Sequence, residues 1–81
     1  MSQVKLDRQV KMVNQIALNM SANGDQNKVA NQIAEHLEKF WSPAMKNLII
    51  EQPSLTDMGL SPLAQIAIQN LLLMQQAKKA I

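Results

Sequence analysis

Cysteine and tyrosine are absent from these 81 residues, glycine occurs twice and histidine once, and Phe40 and Trp41 make up the whole complement of Phe, Trp and Tyr. Without cysteine there is no disulfide framework, no thiolate nucleophile and no thiolate metal site, a composition that suits a cytoplasmic protein. Gly24 and Gly59 stand apart, so no glycine-rich loop is available to wrap a phosphate. No apolar stretch approaches the length of a membrane span. The N-terminus, with Asp7 and Arg8 ahead of an alternating polar and apolar pattern, lacks the uninterrupted apolar core of a signal peptide. Net charge is only +2, from eight cations and six anions interleaved along the chain, which argues against nucleic acid and anionic membrane as partners.

What is present is an apolar stock of Leu, Ile, Ala and Met, with four Val and three Pro, amounting to 47% hydrophobic residues. That mixture favours helix over strand and excludes a disordered tail. A chain of this length forms one domain over residues 1–81 and buries about 60–65% of the surface its unfolded form exposes. The six Met residues are expected mainly as adaptable core filler, the other reading being a surface that re-packs around a partner.

Helical spacing organises the chain into four segments. Over about residues 4–22, Leu6, Val10, Val13, Ala17 and Met20 share one face and Asp7, Arg8, Lys11, Gln15 and Asn19 the other. Asn23-Gly24 is expected to close this helix through a left-handed residue, since neither flank alternates as a hairpin would. Asp25 caps a second helix, in which Val29, Ala30, Ile33, Ala34, Leu37, Phe40 and Trp41 form a broad apolar face opposite Lys28, Asn31, Gln32, Glu35, Glu38 and Lys39. Asp7 with Lys11 and Glu35 with Lys39 have the favourable order for surface ion pairs.

Ser42-Pro43 breaks this pattern and opens a short third helix with Ala44, Met45, Leu48 and Ile49 on its apolar face, ending at Gln52-Pro53. Ser54-Leu-Thr-Asp resembles a capping box, suggesting a single turn closed by Gly59. Ser61-Pro62 then starts a last helix to about Lys79. Its polar slot of Gln65, Gln69 and Gln76 is narrow, and Leu63, Ile66, Ala67, Ile68, Leu71, Leu72, Leu73 and Met74 cover most of the circumference. This is wider than the stripe of about 100° that one-sided packing needs. Either the helix is central in the bundle or, the preferred reading, its second face is covered by another chain. The expected fold is therefore an all-α, single-domain bundle of about four helices: two long and amphipathic, a short one after Pro43, and an apolar last one.

Catalytic chemistry finds little support. His36 is the only histidine, its helix neighbours Gln32, Ile33, Lys39 and Phe40 include no orienting carboxylate, and there is no second His at zinc-binding spacing. A packing or partner-facing role is expected for it. Phe40, centred on the apolar face, is expected in the core, whereas Trp41 at the helix end suits both the core and an interface, because an indole buries its ring while offering its N–H. Lys78 and Lys79 complement the dipole of the last helix and are read as a solvated C-terminal cap.

Two stretches carry a resemblance. Met12-Val13-Asn14-Gln15-Ile16-Ala17 is similar to the Met-x-Asn-Gln-Ile-Ala pattern, and His36-Leu37-x-x-Phe40-Trp41-x-Pro43-x-Met45 to the His-hydrophobic-x-x-Phe-Trp-x-Pro-x-Met signature, of the small delta subunit of soluble NAD-dependent formate dehydrogenases. Ser42 and Lys46 depart from the acidic residue and the Arg that relatives often carry at these places. The resemblance implies a non-catalytic accessory subunit that carries no cofactor and docks on the large molybdenum- or tungsten-pterin catalytic subunit, supporting assembly or stability. The enzyme so implied oxidises formate to carbon dioxide and passes electrons through flavin and iron–sulfur centres to NAD. The partner-binding residues expected on this basis are His36, Phe40, Trp41, Pro43 and Met45, with Asn14 and Gln15 from the first stretch. The rival readings are a helical nucleic-acid-binding regulatory module, prompted by the basic pI near 9.2, and a bundle that self-associates through residues 63–74.

Overall fold

The apolar spacing of the first segment becomes helix α1 (Ser2–Met20), which sets Val10, Val13 and Ala17 into the core and leans Leu6, Ile16 and Met20 against it. The computed structural model describes residues 2–52 and 59–79, with side chains from 5 to 78 within those limits. Gly24 does not close α1 in the expected left-handed form. The helix tightens instead into a 3-10 turn at Ser21–Asn23, with Ser21 Oγ donating to the Leu18 carbonyl at 2.9 Å, and Gly24 is extended at φ 159°, ψ −162°. Three-residue tightening satisfies terminal carbonyls without a left-handed residue.

Asp25 caps α2 (Gln26–Phe40) as expected, its carboxylate accepting from Lys28 N at 3.0 Å. Val29, Ala30, Ile33, Ala34 and Leu37 form the fully buried strip of α2. Trp41 N still donates to the Leu37 carbonyl at 2.9 Å, but Trp41 is extended, and the chain turns there. Ser42 Oγ accepts from Met45 N at 3.2 Å and Pro43 takes the first position of α3 (Pro43–Ile50). Ser61 Oγ accepts from Ala64 N at 3.3 Å at the start of α4 (Pro62–Lys79). Gly59 has φ 84°, the left-handed form that glycine adopts without steric cost, while the capping box expected at residues 54–57 lies outside the described residues.

The described residues form four α-helices around one apolar core, and α2 and α4 make the most extensive pairing. Both helices bury small residues in the core, Ala30 and Ala34 on α2 and Ala64 and Ala67 on α4, all fully buried. Small side chains let helix axes approach closely. The radius of gyration, 11.9 Å, matches the value of about 11.7 Å expected for a compact chain of this length.

Two expectations about side chains are corrected. Phe40 is not in the core: it is 72% exposed, and Trp41 is buried at 6%. From Leu37 the i+4 step lands on Trp41, so the turn after α2 carries the indole under the corner. Phe40, one step of about 100° away, points back along the helix toward His36. The pairs Asp7–Lys11 and Glu35–Lys39 do not form; among the described residues the ion pairs converge on Glu38 instead.

The wide apolar arc of α4 is only partly used. Ala64, Ala67, Ile68 and Leu71 are buried, Leu63, Ile66 and Met74 pack half-buried at the margin, and Leu73 is 61% exposed. The helix is therefore not enclosed by its own bundle.

Candidate protein-docking site

The corner between α2 and α3 collects most of the residues that the sequence singled out. His36 and Phe40, one turn apart, stack on the outer surface of α2 with ring centroids 4.8 Å apart at 42°. That spacing lies in the range of favourable aromatic pairs. Both residues are exposed, as are Ser42, Pro43 and Ala44 after them, while Met45 is half-buried against the core. Trp41, between Phe40 and Pro43 in sequence, is buried in the core.

Glu38 locks this corner from the other side. Lys46 Nζ donates to both the Glu38 carbonyl and Oε2 at 3.2 Å, and Gln75 Nε2 and Lys78 Nζ reach the same carboxylate from α4. One carboxylate thus ties α2, α3 and α4 together, and Lys46 is only 8% exposed. The sequence places Glu38 on the solvent face and signals no such role. The Glu38–Lys46 interval spans a helix break, so no helical spacing reveals it.

Asn14, half-buried on α1, reaches across to the turn before α4. Its Nδ2 donates to the Gly59 carbonyl at 2.9 Å and its Oδ1 accepts from Ser61 N at 2.8 Å, so one side chain clasps the turn that launches α4. Gln15 stays on the outer face, donating to Asn19 Oδ1 at 3.3 Å. Replacing Asn14 with Ala removes both bonds, and the expected loss is about 1–3 kcal/mol of unfolding free energy. Asn14→Asp keeps the acceptor for Ser61 N and should cost less than Asn14→Ala. Thermal melts of the two variants decide this; equal melting points would show that the clasp contributes nothing.

Gln9 is the second residue that sequence reading passed over. It is 6% exposed, and its Oε1 is the buried side-chain polar atom without a hydrogen-bond partner among the described residues. A signal was available, because position 9 falls three after Leu6 and four before Val13, inside the apolar stripe. Met12 is also outside the core, at 44% exposure, against the expectation of methionine as filler.

Among the described residues no group of three His, Asp or Glu side chains converges as a metal-holding set, and no helix is long and apolar enough to cross a membrane. The arrangement offers contact surface: an exposed aromatic pair, an exposed proline, and a corner held rigid by a buried indole and a shared carboxylate. No curated protein and no solved structure matches the chain. The family model described as the NADH-dependent formate dehydrogenase delta subunit, FdsD, does match, over residues 8–68, and that stretch includes both resembling segments and the whole α2–α3 corner. With three quarters of its length so matched, the chain belongs to the delta-subunit family of NADH-dependent formate dehydrogenases.

Proposed function

We propose that this chain is a cytoplasmic, non-catalytic accessory subunit that docks on the molybdenum- or tungsten-pterin catalytic subunit of its formate dehydrogenase and supports the assembly or stability of the complex. The family match over residues 8–68 carries this reading. The lone His36 supports it too, since its ring is engaged with Phe40 and not with a carboxylate that would orient it for proton transfer. The redox chemistry then resides on the partner subunits, and this chain supplies surface.

The proposed contacts are His36, Phe40 and Pro43, with Met45 at their edge and Gln15 on the neighbouring helix. Trp41 acts through position, by holding the corner from below, and Asn14 through the clasp on α4. An exposed aromatic of this size costs little to remove from the free chain but leaves a hole in an interface. Phe40→Ala should therefore change folding stability by no more than about 0.5 kcal/mol and weaken capture of the catalytic subunit by about 1–2 kcal/mol, roughly a 5- to 30-fold rise in Kd. Unchanged capture would remove Phe40 from the interface.

The direct test of the function is an affinity pull-down of the tagged protein from its native cytoplasm. Co-elution of formate-dependent NAD reduction with bound molybdenum or tungsten is expected. A clean eluate without activity or metal would reject the accessory-subunit reading. The exposed Leu73 supports a subordinate proposal, that the isolated chain pairs with its own copy through α4. Sedimentation showing a monomer at high concentration would reject that pairing.

A further inference from the structure

Asn23-Gly24 reads in the sequence as a helix stop, yet the turn does not use it as one. Gly24 is extended at φ 159°, ψ −162°, and the 3-10 turn at Ser21–Asn23 follows α1 without a left-handed residue. What the pair retains is a reactive junction. In an Asn-Gly step the backbone nitrogen of the glycine can reach the asparagine side-chain amide, because no Cβ on the glycine obstructs the approach. We propose that Asn23 is a site of spontaneous deamidation, and that its isoaspartyl product loosens the cap of α2.

The step balances with water alone. Gly24 N gives its proton to solvent and attacks Cγ of Asn23, the Cγ–Nδ2 bond breaks, and Nδ2 takes up a proton and leaves as ammonia. Water then opens the resulting succinimide at either carbonyl. Opening at Cγ yields an ordinary aspartate. Opening at the main-chain carbonyl yields isoaspartate, in which the chain runs through Cβ and Cγ and is lengthened by a carbon.

Position decides which asparagine reacts. Asn14, Asn19, Asn27, Asn31, Asn47 and Asn70 all lie inside α-helices, and none is followed by glycine. A helix holds the following backbone nitrogen in its own hydrogen-bond ladder. Some of these side chains are tied down as well: Asn14 to the turn before α4, Asn19 to Gln15, and Asn31 to Asn70. Asn23 ends a short 3-10 turn, whose hydrogen-bond geometry is poorer than that of an α-helix. Ser21, Ala22, Asn23, Gly24 and Asp25 are all exposed, so water reaches both the amide and the succinimide. A Cβ built on Gly24 would meet only Lys28 within 4 Å, at 3.4 Å from Cδ, and that side chain is itself exposed and free to yield. The junction therefore has room to turn.

The products differ in their effect on α2. A carboxylate on an unaltered main chain at position 23 lies just ahead of the helix, where the dipole favours it and Asp25 repels it. Isoaspartate instead displaces Asp25, whose carboxylate accepts from Lys28 N at 3.0 Å, and the cap depends on that geometry.

The test incubates the full-length protein in mildly alkaline buffer, folded and in guanidinium, and follows each asparagine by peptide mapping, with an isoaspartate-specific methyltransferase as the second readout. Isoaspartate is expected at position 23 of the folded chain, formed within about tenfold of the rate in the unfolded chain, while the asparagines inside helices stay intact. Gly24→Ala, which places a Cβ on the attacking residue, should slow the conversion about tenfold or more. Asn23→Asp reports the added charge alone and should melt within about 2 °C of wild type, whereas the isoaspartyl fraction should melt about 4 °C or more below it. An Asn23 that survives in the folded chain while the unfolded chain converts would overturn the proposal, as would conversion unaffected by Gly24→Ala. An isoaspartyl fraction that melts with wild type would overturn the link to the cap. None of these outcomes depends on the docking function.

Discussion

Trp41→Ala is expected to bring the isolated chain close to unfolding, with a urea midpoint lowered by about 3–5 M. The indole is 6% exposed and closes the core beneath the α2–α3 corner together with Leu37 and Ile49, both fully buried. Truncating a buried aromatic to Ala costs about 3–5 kcal/mol through lost transfer energy and the cavity left behind. An 81-residue domain has a total stability of about 4–12 kcal/mol, so this single change removes about a quarter or more of it. With a denaturant slope near 1 kcal/mol per molar for so small a chain, the midpoint shift follows directly. Trp41→Phe keeps most of the apolar area and should fall well short of that loss. A midpoint for Trp41→Ala within about 0.5 M of wild type would place the indole outside the core. The contrast with Phe40 is informative, because two adjacent aromatics are predicted to act on different quantities: Trp41 on folding and Phe40 on association.

Glu38→Ala should be the most damaging polar substitution, at about 2–3 kcal/mol, below the full range for a buried pair because solvent still reaches the carboxylate. The variant leaves Lys46, whose side chain is only 10% exposed, with the Glu38 main-chain carbonyl as its remaining partner. It also releases Gln75 and Lys78, which join α4 to the corner. Lys46→Met is predicted to be far milder, within about 1 kcal/mol of wild type, since an apolar side chain of similar length replaces the buried cation and Glu38 keeps its two α4 partners. The order Glu38→Ala worse than Lys46→Met, read from chemical denaturation of both, is the test. The reverse order would mean that the lysine, not the shared carboxylate, holds the corner.

The helices were largely legible because each segment carries its own local signal. Asp25 and the strip from Val29 to Leu37 announce α2, and Ser42-Pro43 and Ser61-Pro62 announce the starts of α3 and α4. What escaped is non-local or falls at a helix end. The exposure of Phe40 beside a buried Trp41 turns on one 100° step at the point where the helix stops, and periodicity is undefined beyond that point. The Glu38–Lys46 pair bridges a proline corner, and the Asn14 clasp reaches the Gly59–Ser61 turn across 45 and 47 residues. Neither separation leaves a pattern in sequence. The width of the apolar arc on α4 was visible, but which part of it is buried depends on where α2 lies.

The same distinction applies to the docking surface. The motif around Phe40-Trp41-Ser42-Pro43 pointed to the α2–α3 corner now proposed as the docking surface, and only the packing separates its exposed members from its buried one. Gln9 and Met12 carried a readable anomaly in the stripe of α1, an amide on the apolar face and a methionine beyond it, whose meaning depends on the neighbouring helix α3.

The measurement that bears most directly on the accessory role compares formate dehydrogenase produced with and without this chain, recording metal bound per catalytic subunit and formate-dependent NAD reduction per bound metal. The account predicts that omitting the chain lowers the yield of intact, metal-loaded complex and leaves turnover per bound metal unchanged. Full loading with turnover per metal collapsed would contradict it, because the chain would then be acting in the chemistry itself.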